Sequence, residues 1–441
     1  MQLRYNYRMY PDAAQRRALA RAFGCVRVVW NDGLRARRDA REAGLPYVSS
    51  AELSKVCITQ AKRTPEREWL SEVSAVALQQ SLRDLDGAFK AFFDSVSGKR
   101  AGPRVGPPRF KSRKDPKQSI RLNTNAFVIR ENGRLYVAKV GDLHVKWSRR
   151  LPADPTSLTV VRDASGRYFA SFVVAVTPTP LPESGAEVGI DLGLTVFAVL
   201  SDGTKIASPR WFRRAEKKLR RLQRDLSRKV KGSKNRAKAR IKLARQHARV
   251  ADQRRDWHHK VSTQIIRENQ AVFVEDLAVS GLARGRLAKS VHDAGWAQFV
   301  DMLQYKAARY GRHFGMINRF EPTSQVCSIC GHRDGPKPLH IRRWTCGECG
   351  AVHDRDENAA INILAAGRAD RSNALRSAGK AGTEVPAPRV EAGSHRGGGL
   401  PCSECRVVDS AARQVAEGAC GRPDSRSICR TCPLGSVSLA P

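Results

Sequence analysis

Acidic residues are scarce in this chain. Of 441 residues, 42 are Asp or Glu against 79 Lys or Arg, a formal net charge of +37. An excess so large and so dispersed goes beyond what solubility requires. It points to a polyanionic partner, most often nucleic acid. Long apolar runs are missing too. No stretch approaches the roughly twenty apolar residues that span a bilayer, so a membrane partner is not expected. The opening segment, MQLRYNYRMYPD, lacks the apolar core of a secretory signal. The eleven cysteines fall mostly into Cys-x-x-Cys pairs, which favours metal ligation in a reducing cytosol over disulfides. A chain of this length supports about two to four domains.

What is present begins with one segment, CSICGHRDGPKPLHIRRWTCGECGAVHDRDEN, from Cys327 to Asn358. Its pairs Cys327/Cys330 and Cys346/Cys349 are separated by fifteen residues. That spacing lets four thiolates close a tetrahedron on one zinc ion. Gly331, Gly347 and Gly350 give the backbone room to curl around the pairs. His353, Asp354, Asp356, Glu357 and Asn358 follow, mostly hard donors that suit magnesium or manganese better than a thiolate site. A catalytic metal there would require further carboxylates from elsewhere in the chain.

Residues 2–9 alternate as a short strand, and Asp12 is placed to cap a helix running to about Gly44. Leu78, Leu82, Leu85, Phe89, Phe92 and Val96 mark one face of a helix over 74–97. Residues 11–100 therefore read as a helical module. AGPRVGPPRFKSRKDPKQS, from Ala101, reads as a loop, either a plain linker or a cationic segment whose Phe110 stacks on a base. Short strands separated by turn signals over 118–176 predict a small antiparallel sheet or barrel.

VGIDLGL (188–194) opens the next domain with an apolar strand carrying Asp191, and a meander continues through Asp202-Gly203. RNase H-like nuclease folds begin in this order. An acid on an apolar strand is costly unless paired or metal-bound, and glycines beside Asp191 would admit a phosphate or metal close to the backbone. From Arg210 to Arg255, twenty residues are Lys or Arg. A break at Gly232-Ser233 divides this stretch into a helical hairpin, whose charge a nucleic-acid backbone would relieve. His258 and His259 follow, with packing a more natural role than ligation. AVFVEDL (271–277) again ends an apolar strand in acids, Glu275 and Asp276. Asp191, Glu275 and Asp356 thus form an ordered set. Three carboxylates at one sheet edge can hold two divalent ions about 4 Å apart, one activating water and one stabilising the leaving oxygen of a phosphodiester. Asp276 stands as the alternative to Glu275. Asp354, which also suits a cap or an outer position, stands as the alternative to Asp356.

In this order, GIDLGL, VEDL, TSQVCSICG, CGECG and HDRDENAAINI resemble the TnpB (OrfB) family encoded by insertion sequences, and its relatives the RNA-guided type V CRISPR nucleases. YRMYPDAAQRRALARAFGCVRVVWN and PRFKSRKDPKQS extend the likeness over roughly residues 1–366. The resemblance implies a multidomain α/β chain with an RNase H-like (RuvC) nuclease domain over 185–320 and 353–367 and a zinc-ribbon insert over 321–352. It also implies a helical recognition lobe over 11–100 and a small antiparallel β-barrel, or wedge, over 101–180, with residues 1–10 as its first strand. Asp191, Glu275 and Asp356 would be the catalytic acids, holding two Mg²⁺ ions. Cys327, Cys330, Cys346 and Cys349 would hold one structural Zn²⁺. The implied activity is Mg-dependent, RNA-guided cleavage of double-stranded DNA beside a short transposon-adjacent motif. The guide RNA would come from the transposon end. The protein would be a monomer within its ribonucleoprotein, in the prokaryotic cytoplasm and associated with the nucleoid.

Two other functions use part of the same equipment. A DNA transposase acting by strand transfer employs similar acids, and a non-catalytic zinc-containing regulator of transposition needs only the basic surface and the ribbon. The acid set argues for chemistry. Beyond 368 the composition predicts a disordered tail. Its Cys402/Cys405 and Cys429/Cys432 pairs, twenty-three residues apart with Cys420 between them, are spaced more widely than zinc usually requires.

Overall fold

A computed structural model describes residues 1–338 and 340–381. The first strand, Gln2–Met9, buries Tyr5, Tyr7 and Met9 by simple alternation. It pairs antiparallel with Tyr168–Ala175 along its whole length. The sheet runs in the order Gln118–Asn123, Pro155–Arg162, Tyr168–Ala175, Gln2–Met9, Val145–Lys146. A three-stranded sheet of Phe127–Ile129, Leu135–Val137 and Gly141–Leu143 contributes to the same core. The strands expected over 118–176 therefore form two antiparallel sheets.

Helices Ala13–Glu42 and Ala75–Val96 join this core. The first starts where Asp12 accepts from the backbone of Gln15 (2.8 Å) and the Gln15 side chain accepts from the backbone of Asp12 (3.0 Å), a reciprocal cap. In the second, Leu78, Leu82 and Leu85 are buried, whereas Phe93 and Val96 emerge into solvent, so the apolar face runs past the core. Leu19 and Leu78 from the helices and Phe172 from the sheet belong to one hydrophobic cluster. The loop after Ala101 is pinned to the first helix. Trp30 Nε1 donates to the Arg109 carbonyl (3.0 Å), and Asn31 exchanges two hydrogen bonds with the Lys111 backbone (2.8 and 3.1 Å). Phe110, offered in the sequence as a stacking platform, carries Arg38 over its ring at 4.7 Å.

A second sheet holds the candidate acids. Its order is Lys205–Ala207, Val196–Leu200, Glu187–Leu192, Ala271–Glu275, His313–Ile317. The first three strands are an antiparallel meander and the last two are added in parallel. Parallel addition requires crossovers. Trp211–Ser227 and Lys234–Glu268 supply the first, broken at Gly232 (φ +86°) and recapped by Ser233. On one face Val188, Ile190, Val272 and Val274 pack with Ile265, Ile266, Phe299 and Leu303. On the other, Ala271 and Phe273 pack with Ile363 of the helix Arg355–Ala381. Cover on both faces explains the near-continuous apolar runs in the sequence. His258 is buried, its Nε2 3.0 Å from the Ala294 carbonyl, a packed residue rather than a ligand.

The helix Arg355–Ala381 lies directly on the sheet. A Cβ on Gly189 would stand 2.2 Å from the Ala360 carbonyl, and one on Gly367 would stand 2.2 Å from the Phe273 ring. Gly189 is therefore spent on helix packing and not, as the motif suggested, on admitting a ligand. Gly193 likewise faces the Val196 carbonyl, 2.7 Å from where its Cβ would be. The helix also continues to Ala381, past the point at which composition predicts disorder. Arg368 and Arg371 both pair with Glu187 at 2.6 Å, and the alanine-rich sequence favours helix. The Cys402/Cys405 and Cys429/Cys432 pairs lie outside the described residues. No described helix is long and apolar enough to cross a membrane.

Candidate active site and metal centre

Strand register brings the first two acids together. Phe273 lies opposite Gly189 and Val274 opposite Ile190 in a parallel pair, which sets Glu275 beside Asp191. Side chains two apart share a face. Asp191 and Glu275 therefore project on the side covered by Arg355–Ala381, one tier beyond the Gly189–Phe273 contact. That helix begins at this end of the sheet and carries Asp356 in its first turn. All three carboxylates line one cavity of about 440 Å³, together with Arg319, Arg342 and Arg355.

The two alternatives weighed in the sequence stand outside this cavity. Asp354 accepts from the backbone N–H groups of Asp356 (3.1 Å) and Glu357 (3.3 Å) and pairs with Lys205 (2.6 Å). It is the helix cap. Burial works to raise its pKa, but the Lys205 hydrogen bond and the backbone donors outweigh this and lower it. Asp276 is paired with Arg319.

Burial first, then the nearby Asp356 and Glu275 carboxylates, push Asp191 up to about 7, against the opposing pull of Arg355 and Arg342. Burial, then Asp276, also raises Glu275. Three hard oxygen donors that repel one another make a set a divalent cation would stabilise, so these residues fit magnesium chemically. Part of the repulsion is already offset. Arg342 Nη1 donates to both oxygens of Asp356, at 3.0 and 3.2 Å. Arg342 precedes the ribbon strand Arg343–Thr345, so the ribbon itself delivers a cation to the third acid.

The ribbon is an antiparallel pair, Arg343–Thr345 with Val352–Asp354. The four cysteine sulfurs all lie within 4.8 Å of one another. Cys327–Cys349 and Cys330–Cys346 are both 3.7 Å apart. Zinc–sulfur bonds of about 2.3 Å place tetrahedral sulfurs about 3.8 Å apart, so the cluster fits zinc. Gly331 N–H donates to the Cys327 carbonyl and Gly350 N–H to that of Cys346, both glycines at positive φ. Gly347 plays a different part from the one expected, donating its N–H to Asp334 (3.2 Å).

His353 and Asn358, read from sequence among the hard donors, serve other ends. His353 is buried with Nε2 3.0 Å from Cys327 Sγ and its ring against Trp344, so it supports the thiolate site. Asn358, buried, accepts from Ser328 N–H (2.9 Å) and donates to the Val326 carbonyl (2.8 Å). Asn362 Nδ2 donates to the carbonyls of Thr323 (2.8 Å) and Val326 (2.7 Å). These two amides fasten the entry to the ribbon onto the helix that bears Asp356. The Asn-x-x-x-Asn spacing at 358 and 362 was the available signal, because residues four apart share a helix face. Nothing local marked Arg342.

Three families match parts of the chain. OrfB of IS605, described as "Probable transposase", matches residues 171–286, and a Cas12f1-like TNB domain matches 296–363. A "Helix-turn-helix domain" matches 1–45, which here form one strand and one long helix. A Streptomyces pristinaespiralis protein named "Putative RNA-guided DNA endonuclease" is 48% identical over 83% of this chain and 89% of its own length. This chain belongs to the TnpB (OrfB) family. A second TnpB relative, from Escherichia coli K12 and named "Putative RNA-guided DNA endonuclease InsQ", is 32% identical over 83% of this chain and 92% of its own. Among solved structures, the Cas12f1 chain from a complex with sgRNA and target DNA matches with a TM-score of 0.51 at 15% identity, over 80% of this chain and 83% of that one. That likeness is one of fold, a multidomain α/β arrangement with mixed sheets. The OrfB match contains Asp191 and Glu275, and the TNB-domain match contains Asp356.

Proposed function

We propose that this chain is an RNA-guided DNA endonuclease. The observation that carries the reading is the convergence of Asp191, Glu275 and Asp356, from three distant segments, on one cavity. The three acids would hold divalent cations, magnesium by their chemistry, and the four ribbon cysteines would hold zinc. Two divalent ions, when bound, supply an activated water and charge stabilisation for the leaving oxygen. Asp191 and Glu275 provide fixed oxygens from a rigid sheet, and Asp356 provides the third from a helix start. Arg319, Arg342 and Arg355 offer guanidinium groups to the phosphate that enters.

In this reading residues 185–320 and 353–367 are a RuvC-like nuclease domain and 321–352 a zinc ribbon that touches target nucleic acid. Residues 11–100 are a recognition lobe, and 101–180 with 1–10 are a wedge. The guide comes from the transposon end, and a single copy of the chain carries it to double-stranded DNA in the prokaryotic cytoplasm, at the nucleoid. The +37 charge suits a particle that holds both nucleic acids. Base pairing then reads the sequence, while the protein reads duplex shape and a short flanking motif.

The transposase description of the matching family favours strand transfer as the second reading. The product separates them: a nuclease leaves broken ends and a transferase leaves joined strands. Expressing the chain with its flanking DNA and sequencing the RNA that copurifies tests the guided reading. A discrete enriched species is expected; its absence would remove the basis for guidance. Asp191→Ala should abolish cleavage and keep binding, and cleavage that survives would overturn the assignment of the acids.

A further inference from the structure

Carboxylates and guanidinium groups dominate the lining of the acid cavity. Such groups read phosphate, and successive phosphates along a strand look alike to them. Charge alone therefore does not say which phosphodiester is cut. One lining residue is of another kind. Phe320 is the one aromatic in the lining. At 84% exposure it is also the most exposed large apolar side chain among the described residues.

A lone exposed apolar residue needs no explanation by itself. The backbone beneath this one sets it apart. Strand His313–Ile317 lies beside Ala271–Glu275 with Ile317 opposite Glu275. Phe320 follows three residues later, at the end of the sheet where Glu275 stands. The Asn318 side chain accepts from the N–H of Phe320 (3.0 Å), and the Asn318 carbonyl accepts from that of Glu321 (3.0 Å). An asparagine used in this way closes a tight turn. Arg319 is paired with Asp276, the residue after Glu275. Beyond the turn Thr323 is buried, and its carbonyl accepts from Asn362 (2.8 Å) on the helix that bears Asp356. The turn is thus fastened on one side to the strand that carries Glu275 and on the other to the helix that carries Asp356. A ring with both faces open to solvent is held on a fixed support at the acids.

We propose that Phe320 is the platform on which one unpaired base beside the scissile phosphate stacks, and that this contact fixes which phosphodiester is cut. An aromatic face takes any base, so the contact sets position without reading sequence. A base within a duplex is already stacked on both sides, so the platform serves only an unpaired nucleotide. Holding one base fixes the strand against sliding by a nucleotide, which is the positioning that in-line attack requires. The assignment rests on the nuclease reading above and deepens it with a specificity-determining residue.

The test uses the full chain with its copurified RNA, in magnesium, on an end-labelled duplex target matched to the guide, with protein in excess. Phe320→Ala should cut about tenfold or more slowly at saturating protein and spread the cut to neighbouring phosphodiesters, with target binding within about twofold. Its melting temperature should be unchanged, because the ring is exposed. Phe320→Tyr should restore a single cut at close to the original rate, whereas Phe320→Leu, apolar but not flat, should behave as Phe320→Ala. An abasic nucleotide moved one position at a time past the cut should slow the unaltered protein at one position only, and should slow Phe320→Ala little further there. Unchanged rate and cut position in Phe320→Ala would overturn the proposal. So would Phe320→Leu matching Phe320→Tyr, which is the mark of a merely apolar contact, or abasic losses that add fully to that of Phe320→Ala. Absence of cleavage by the unaltered complex would instead overturn the nuclease reading, and this proposal with it.

Discussion

Replacing Asp191 with Asn removes a charge from the most crowded point of the site with little change of shape. The ordinary value for an aspartate is 3.8, and burial beside Asp356 and Glu275 pushes Asp191 up to about 7. At about 1.4 kcal/mol per pKa unit, ionising it in the folded protein costs up to about 4 kcal/mol. The sign follows from linkage. The folded state holds this proton more tightly than the unfolded state. Metal-free protein therefore loses stability as pH rises from about 4 to about 7 and loses no more above that. Asn carries no such cost at any pH. In urea denaturation of the zinc-loaded protein without added magnesium, Asp191→Asn should be more stable than the unaltered protein by up to about 4 kcal/mol near pH 8, and equal to it near pH 4. Magnesium should then stabilise the unaltered protein more than the variant, because it binds the folded acids. A variant that is no more stable near pH 8, or that gains as much near pH 4, would refute the electrostatic account.

Other substitutions separate neighbouring roles. Asp356→Ala should abolish cleavage of supercoiled DNA, while Asp354→Ala should retain it and lose about 1 kcal/mol from the helix cap, read by cleavage assay and thermal melting. Cys346→Ser should lower both the zinc content by elemental analysis and the melting temperature; unchanged values for both would count against the four-cysteine centre. Gly189→Ala, whose Cβ would stand 2.2 Å from the Ala360 carbonyl, should destabilise by at least about 2 kcal/mol. Asn358→Ala removes a buried amide's contacts with Ser328 and Val326 and should cost about 1–3 kcal/mol, read by denaturation.

Some of this molecule is legible in its sequence because the causes are local. The four cysteines must lie close in sequence to turn about one ion, so their spacing announces them. Asp191 and Glu275 stand out because an acid on an apolar strand needs a reason. The first helix begins at Asp12 because its cap chemistry is complete within four residues. Other features depend on what meets what after folding. Arg342 looks like one more basic residue until the ribbon sets it against Asp356. Gly189 looks like a ligand gate until a helix is laid across it. His353 and Asn358 carry plausible metal donors, and only the packed ribbon shows one against Cys327 and the other against Ser328. The helix beyond 368 was obscured because its support, Glu187 and Phe273, lies nearly two hundred and a hundred residues earlier.

The measurement closest to the central claim is programmed cleavage. The ribonucleoprotein is purified with its copurifying RNA, the guide portion of that RNA is rewritten, and the cut is mapped on plasmids bearing the old and new targets in magnesium. The cut should move to the new target and vanish with Asp191→Ala. A cut that stays at the old site, or that survives Asp191→Ala, would contradict the account.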